Sequence, residues 1–263
     1  MRMKRITIPK EISGMPILDA VSLYHDDFDW VIHPLKGPSG GGKQPIEKGW
    51  RKFDTTFLTP EKKNDYFGGS KPYNIGCVAR SPQIIIDLDS KPDNGKSVST
   101  WLGCNPNLLR FPREKTGGGA HIHLMCEDLP IFQKTNGKPY ENALVSTIND
   151  QVTAELFFNG LNIVLSPSHH ENGHVYQWET YGDIPMVTWL DLQDWFGFEE
   201  PAGTKSKKFF DFLTYRIKKE FKIKLAEFDY NEVRNIASGY FVLDKKPDEL
   251  VKGPFTFDKK NVI

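Results

Sequence analysis

The stretch Ile84-Ile85-Ile86-Asp87-Leu88-Asp89 restricts what this chain can become more than any other. Three consecutive β-branched residues are stiff at χ1 and fit a pleated surface better than a helix. Turn-forming residues bound the run, Ser81-Pro82 before it and Ser90-Lys91-Pro92 after it, so it reads as a buried strand. Side chains alternate along a strand, which puts Asp87 and Asp89 on one face. Two neighbouring carboxylates repel each other unless a cation lies between them. Hard divalent ions such as Mg²⁺ take such oxygen ligands together with substrate phosphates. The plainer alternative is a strand whose end reaches solvent, and the choice depends on what else the chain supplies.

Composition narrows the field before the other motifs do. With 263 residues, 38% hydrophobic and 26% charged, the chain is expected to fold as one large domain or a domain with an appendage. Its formal net charge is zero, which argues against a wholesale polybasic binder but not against local basic patches. No run of 18 apolar residues is present, so no transmembrane helix is expected. The basic start Met1-Arg2-Met3-Lys4-Arg5 leads into Ile6-Thr7-Ile8-Pro9-Lys10 rather than an apolar signal core. Cys77, Cys104 and Cys126 form no C-x-x-C pair, which fits a reducing cytoplasm and disfavours a cysteine-built zinc site.

Along the chain, the apolar spacing over 15–27 predicts a short helix, and 30–35 a strand. Gly37 to Lys43 satisfies G-x-x-x-x-G-K, but Gln44 stands where a P-loop has Ser or Thr, and Pro45 and Gly49 discourage the helix that must follow. The segment reads instead as a lysine-bearing loop in which Lys36 and Lys43 can meet phosphates as point charges. A helix is expected over 59–66. A strand over 74–79 is expected to turn as a hairpin into the Asp87 strand, making the sheet at least partly antiparallel. A short helix over 97–102 and an extended 108–111 follow. Lys115-Thr116-Gly117-Gly118-Gly119 reads as a glycine turn that exposes N–H groups and enters a strand bearing His121 and His123 on one face. Residues 152–158 alternate as a strand with Glu155 outward, Asn159-Gly160 signals a tight turn, and strands over 162–165 and 174–178 flank Pro167 to Gly173. After a helix near Trp189, residues 201–206 resemble a linker. The stretch 205–224 holds eight Lys or Arg against Asp211 and Glu220. It reads equally as a helix packed on the core or as a nucleic-acid-facing surface.

Three elements therefore succeed one another: an Asp-x-Asp strand end, a glycine turn into a histidine strand, and a strand with one outward Glu. Together with Pro167-Ser168-His169-His170-Glu171-Asn172-Gly173-His174-Val175-Tyr176-Gln177-Trp178, and with the upstream Lys43-Gln44-Pro45, Gly49-Trp50 and Asn74-Ile75-Gly76, this order resembles the bifunctional DNA primase–polymerase domain of the archaeo-eukaryotic primase superfamily. The resemblance covers roughly residues 30–180.

It implies an α/β (α+β) protein with a mixed, largely antiparallel sheet flanked by helices, a small N-terminal α/β lobe, a catalytic domain over 1–200 and a helical appendage over 201–263. It implies template-dependent nucleotidyl transfer from (d)NTPs on single-stranded or primed DNA, with two divalent ions, Mg²⁺ or Mn²⁺. Asp87, Asp89 and Glu155 would be the metal-binding and catalytic carboxylates. His121 would touch the triphosphate, with His123 as the alternative, and Lys115, Thr116, Gly118, Gly119, Ser168, His170 and Lys43 would lie around the nucleotide. A plasmid, viral or nucleoid replication setting in the cytoplasm, a helicase partner and no membrane are further expectations from the resemblance. Three rivals keep the same residues in play: a nuclease on the same carboxylates, a DNA-binding replication module, and an iron site built on His121-x-His123 with a distant carboxylate.

Overall fold

The computed structural model describes residues 5–206 apart from 71, 91, 92, 94, 131, 137 and 203. The expected basic helix and most of the appendage, from residue 207 onward, lie outside the described residues. In chain order the elements are β1 (Thr7–Ile8), α1 (Ile17–Ser22), β2 (Ile32–Leu35), α2 (Pro60–Phe67), β3 (Asn74–Asp89), α3 (Lys96–Gly103), α4 (Pro106–Leu109), β4 (Arg113–Lys115), β5 (Gly119–Cys126), β6 (Phe132–Lys134), β7 (Leu144–Thr147), β8 (Thr153–Leu165), β9 (Gln177–Thr180), β10 (Gly182–Asp183), β11 (Met186–Val187), α5 (Trp189–Phe196) and β12 (Thr204–Ser206).

The protein is a mixed α+β structure organised on one eight-stranded sheet. Its strand order is β7-β8-β3-β5-β4-β9, with β2 also paired to β3 and β11 to β5. All these pairings are antiparallel except β11 with β5. Ile84, Ile85, Ile86 and Leu88 on β3 are fully buried, each worth roughly 1.5–3 kcal/mol of apolar burial. That burial holds the strand in register, because a slip of one residue would send its core side chains to the opposite face.

Two turn signals in the sequence turn out to be interruptions within long strands. The expected hairpin between 74–79 and the Asp87 strand is one continuous strand, β3. The expected tight turn at Asn159-Gly160 is likewise absorbed into β8. The two strands pair along both halves, and their register shifts between Ala79 and Ile85. Gly160 sits at that break with φ +84°. A bulge and a turn demand the same backbone freedom from glycine, so local sequence cannot separate them. Residues 108–111, expected to be extended, follow the same lesson in reverse. Pro106 opens the one-turn helix α4 there.

The N-terminal segment, expected as a small α/β lobe, packs into the core of the sheet. Ile6, Ile12, Val21, Tyr24 and Trp30 pack with Ile75, Cys77, Ile85 and Trp178, and β2 pairs with β3 from Ile32 opposite Cys77 to Leu35 opposite Asn74. By compactness, among the described residues 5–127 with 140–201 form one unit, and 128–139 with 202–206 another. In the second unit Thr204–Ser206, expected as linker, pairs antiparallel with β6. Among the described residues no helix is long and apolar enough to cross a membrane.

Candidate active site

Strand register builds the site. Asp87 on β3 lies directly opposite Glu155 on β8 and His121 on β5, and His121 lies opposite Glu114 on β4. Directly opposed residues share a face of the sheet, with Cβ atoms about 4.5–5.5 Å apart. The row Glu155–Asp87–His121–Glu114 therefore crosses four adjacent strands on one face. Asp89 stands two residues further along β3, between Gly119 and Thr153. Asp87, Asp89 and Glu155 are all half-buried, at the point where the apolar strand meets solvent.

The donor chemistry of these three carboxylates fits a hard divalent cation, which binds oxygen rather than sulfur. Among the described residues no three His, Cys, Asp or Glu side chains converge as a ready-made metal cage. Mg²⁺ is commonly held by one or two carboxylates with substrate phosphates and water completing its shell.

Next to the carboxylates lies a charged group that sequence reasoning missed. The Glu114 side chain is fully buried, and its Oε2 is 3.2 Å from both His121 Nδ1 and His123 Nε2. Its Oε1 accepts the Ser166 N–H at 2.7 Å. Burial would raise the Glu114 pKa, but the two histidines outweigh it and hold the carboxyl down at about 2. The network continues into the core. The carbonyl of Ser166 accepts the Tyr24 hydroxyl at 2.8 Å, and that hydroxyl accepts Trp178 Nε1–H at 2.8 Å.

This network separates two histidines that share one face of β5. His121 turns Nε2 toward Asp87, 3.6 Å from Oδ1. Burial pulls its pKa down, but Asp87 and Glu114 more than offset this and leave it above its ordinary value. His123 lies opposite Ile85 instead. Its ring stacks on Trp30 (centroids 5.5 Å, planes 6° apart) and leans on Trp178 at 4.6 Å. Burial dominates there, and its pKa is lowered despite Glu114.

The glycine turn also behaves differently from expectation. The N–H groups of Gly118 and Gly119 point at Thr116 Oγ1, at 3.3 and 2.9 Å, so they close the turn rather than offer themselves to a ligand. What the glycine supplies is space, since a Cβ on Gly118 would land on Asp89 Oδ1. Gly118→Ala is therefore expected to displace the Asp89 carboxylate and lower catalytic turnover at least about tenfold, the effect of roughly 1.4 kcal/mol. Gly69→Ala, which meets nothing within 4 Å, is the control. Equal activity of the two variants would show that the position of Asp89 is unimportant.

The remaining expected residues divide. Lys43 is exposed, and its charge is felt at His121. Its loop is tied to the sheet through Asn162 Nδ2, which donates to the Lys43 carbonyl at 3.3 Å. His170 is half-buried, its Nδ1 accepting the Asn172 N–H at 3.2 Å. Its ring stands 6.3 Å from Tyr176, which is itself 5.6 Å from His121. Tyr176 is a second missed residue. Burial, then Asp87, Glu114 and Asp89, push its hydroxyl pKa far up.

Ser168, expected beside nucleotide, is fully buried and accepts the Ile75 N–H at 2.8 Å, a place in the scaffold. Thr116 is buried and spends its hydroxyl on the turn. Lys115 is exposed, and strand alternation sends it to the face opposite Glu114. The signal for Glu114 was present but indirect. A glycine turn between Lys115 and Ala120 makes 114 and 121 cross-strand partners.

One sheet face thus brings together three carboxylates, an imidazole whose pKa is raised by its carboxylate neighbours, and a lysine whose charge reaches that imidazole. Residues 22–189 match the family described as bifunctional DNA primase/polymerase, N-terminal. The match covers well over half of the chain, which belongs to that family of primase/polymerase-type enzymes. No curated protein matches the chain.

Proposed function

We propose that the protein extends a primer on a DNA template by nucleotidyl transfer from (d)NTPs, in the replication of a plasmid, virus or other mobile element. The observation that carries this reading is the register that aligns Glu155, Asp87 and His121 on three adjacent strands, with Asp89 one step along. Mg²⁺ or Mn²⁺ held by Asp87, Asp89 and Glu155 would activate the attacking 3′-hydroxyl and neutralise charge on the departing pyrophosphate.

The chain's own groups do the rest. Asp87 and Glu114 flank the His121 ring and raise its pKa, which favours an N–H on Nε2 that would be donated to a phosphate oxygen. Glu114 holds the opposite ring nitrogen and so sets the ring plane. Lys43 adds a positive charge at the solvent side. A preorganised donor in a partly dry site acts more strongly on developing negative charge than the same donor in water. His123, enclosed by Trp30 and Trp178, supports the wall and does not touch substrate.

The test is incorporation of labelled nucleotides on single-stranded DNA, with and without an annealed primer, in Mg²⁺ or Mn²⁺. Metal-dependent extension of the primer is expected, and products in the primer-free lanes would add primer synthesis. A shortened template without incorporation would replace this reading with a nuclease. No change in either strand would leave a DNA-binding module.

A further inference from the structure

Although the chain as a whole is neutral, Lys36 to Lys52 holds five cations, Lys36, Lys43, Lys48, Arg51 and Lys52, against one carboxylate, Glu47. Glu47 is already engaged by the Tyr66 hydroxyl, which donates to its Oε1 at 2.5 Å. The loop is fastened through its backbone. Asn74 Nδ2 donates to the Gly42 carbonyl at 2.9 Å, and Asn162 Nδ2 to that of Lys43. The Arg80 guanidinium donates to the Arg51 and Phe53 carbonyls at 2.5 and 2.6 Å. Asn74, only 2% exposed, also bonds both the N–H and the carbonyl of His169.

With the carbonyls drawn inward, the side chains of Lys43, Lys48, Arg51 and Lys52 are left exposed. Half-buried Trp50 lies among them. It stacks on His33 (5.5 Å, 13°), and the Arg51 guanidinium sits 5.4 Å from its ring centroid. Arg51 pairs with Glu141 at 3.7 Å, and both side chains are about half exposed or more. A pair of that kind is weak and readily exchanged for a phosphate.

We propose that this loop is the docking surface for the sugar–phosphate backbone of the single-stranded template, with Lys48, Arg51 and Lys52 on successive phosphates. The word template rests on the polymerase reading. The polyanion rests on the charge itself, a cluster of cations on a backbone-anchored loop in a chain with no net charge overall. A single strand is favoured over a duplex because a strand being copied must present unpaired bases, and Trp50 gives one of them an aromatic edge. The near end of the loop reaches the site through Lys43, so a strand bound along it runs toward Asp87.

Binding of a fluorescein-labelled single-stranded DNA, followed by anisotropy across a salt series, tests this. Combined Lys48→Ala, Arg51→Ala and Lys52→Ala should weaken binding at least about tenfold. It should also reduce the slope of log K against log salt by about 2, since each lost phosphate contact on a single strand contributes roughly 0.7. Lys48→Arg with Lys52→Arg should bind as the wild type does. The dNTP KM of the alanine variant should be unchanged, and its template KM raised. Wild-type affinity and slope in the alanine variant would overturn the proposal, as would a raised dNTP KM with unaltered DNA binding. Incorporation is read separately. A wild-type protein that binds DNA through this loop but incorporates nothing would overturn the polymerase reading and leave the surface standing.

Discussion

Asp87→Ala should lower nucleotide incorporation by at least about 10³-fold while the protein stays folded. Asp87 is the centre of the site row, with Glu155 on one side and His121 on the other. A bound divalent ion supplies several kcal/mol of charge stabilisation to a phosphoryl transition state, and about 4 kcal/mol corresponds to a factor of about 10³. The cost to stability should be small because the side chain is 24% exposed and makes its ion pair with His121 at 3.6 Å. Circular dichroism and thermal melting beside the incorporation assay separate the possible outcomes. Retained activity would remove Asp87 from the metal set. An unfolded variant would make its role structural.

Glu114→Ala should be the most destabilising single substitution in the site, by about 3–5 kcal/mol, the usual effect of removing one member of a buried charged network. It strands His121 Nδ1, His123 Nε2 and the Ser166 N–H together. Glu114→Gln keeps the shape and is expected to fold. It should nevertheless lower kcat, because a neutral amide no longer favours the protonated ring of His121.

The acid dependence follows from the same group. The Glu114 carboxyl has an ordinary value of 4.5 and is held at about 2 in the folded protein. Its ionised form therefore stabilises the fold fully above about 4.5, and that contribution is lost as pH falls from there toward 2. Wild-type protein should lose stability more steeply than Glu114→Gln across that window in a pH series of urea melts. Parallel curves would show that Glu114 is not the group responsible.

Much of this site was legible before any coordinates. Ile84 to Asp89 announced a buried strand ending in two carboxylates because β-branched packing and side-chain alternation are local properties. Glu155 stood out on a strand with clean alternation. His121 and His123 were visible as a pair on one strand face between apolar residues, and only the family resemblance favoured His121 over His123. Register gave them different surroundings, with Asp87 against His121 and Ile85 against His123, and Trp30 and Trp178 pack against the second ring.

The misreadings have a common origin. Asn159-Gly160 and Ser81-Pro82 were read as chain reversals, yet the long-range pairing of β3 with β8 carried both strands past them. Gly118 and Gly119 were read as N–H donors to a ligand, and Thr116 claimed those donors. Glu114, between Arg113 and Lys115, drew no reading from the sequence, and β5 and the Ser166 backbone enclose it. What the sequence determined by itself was the inventory: which residues pack, which carry charge, and which share a strand face. Those follow from side-chain chemistry and the two-residue period of a strand. Only the tertiary structure decided which of them meet, because pairing between distant strands and the burial of a charge depend on contacts that no local segment contains.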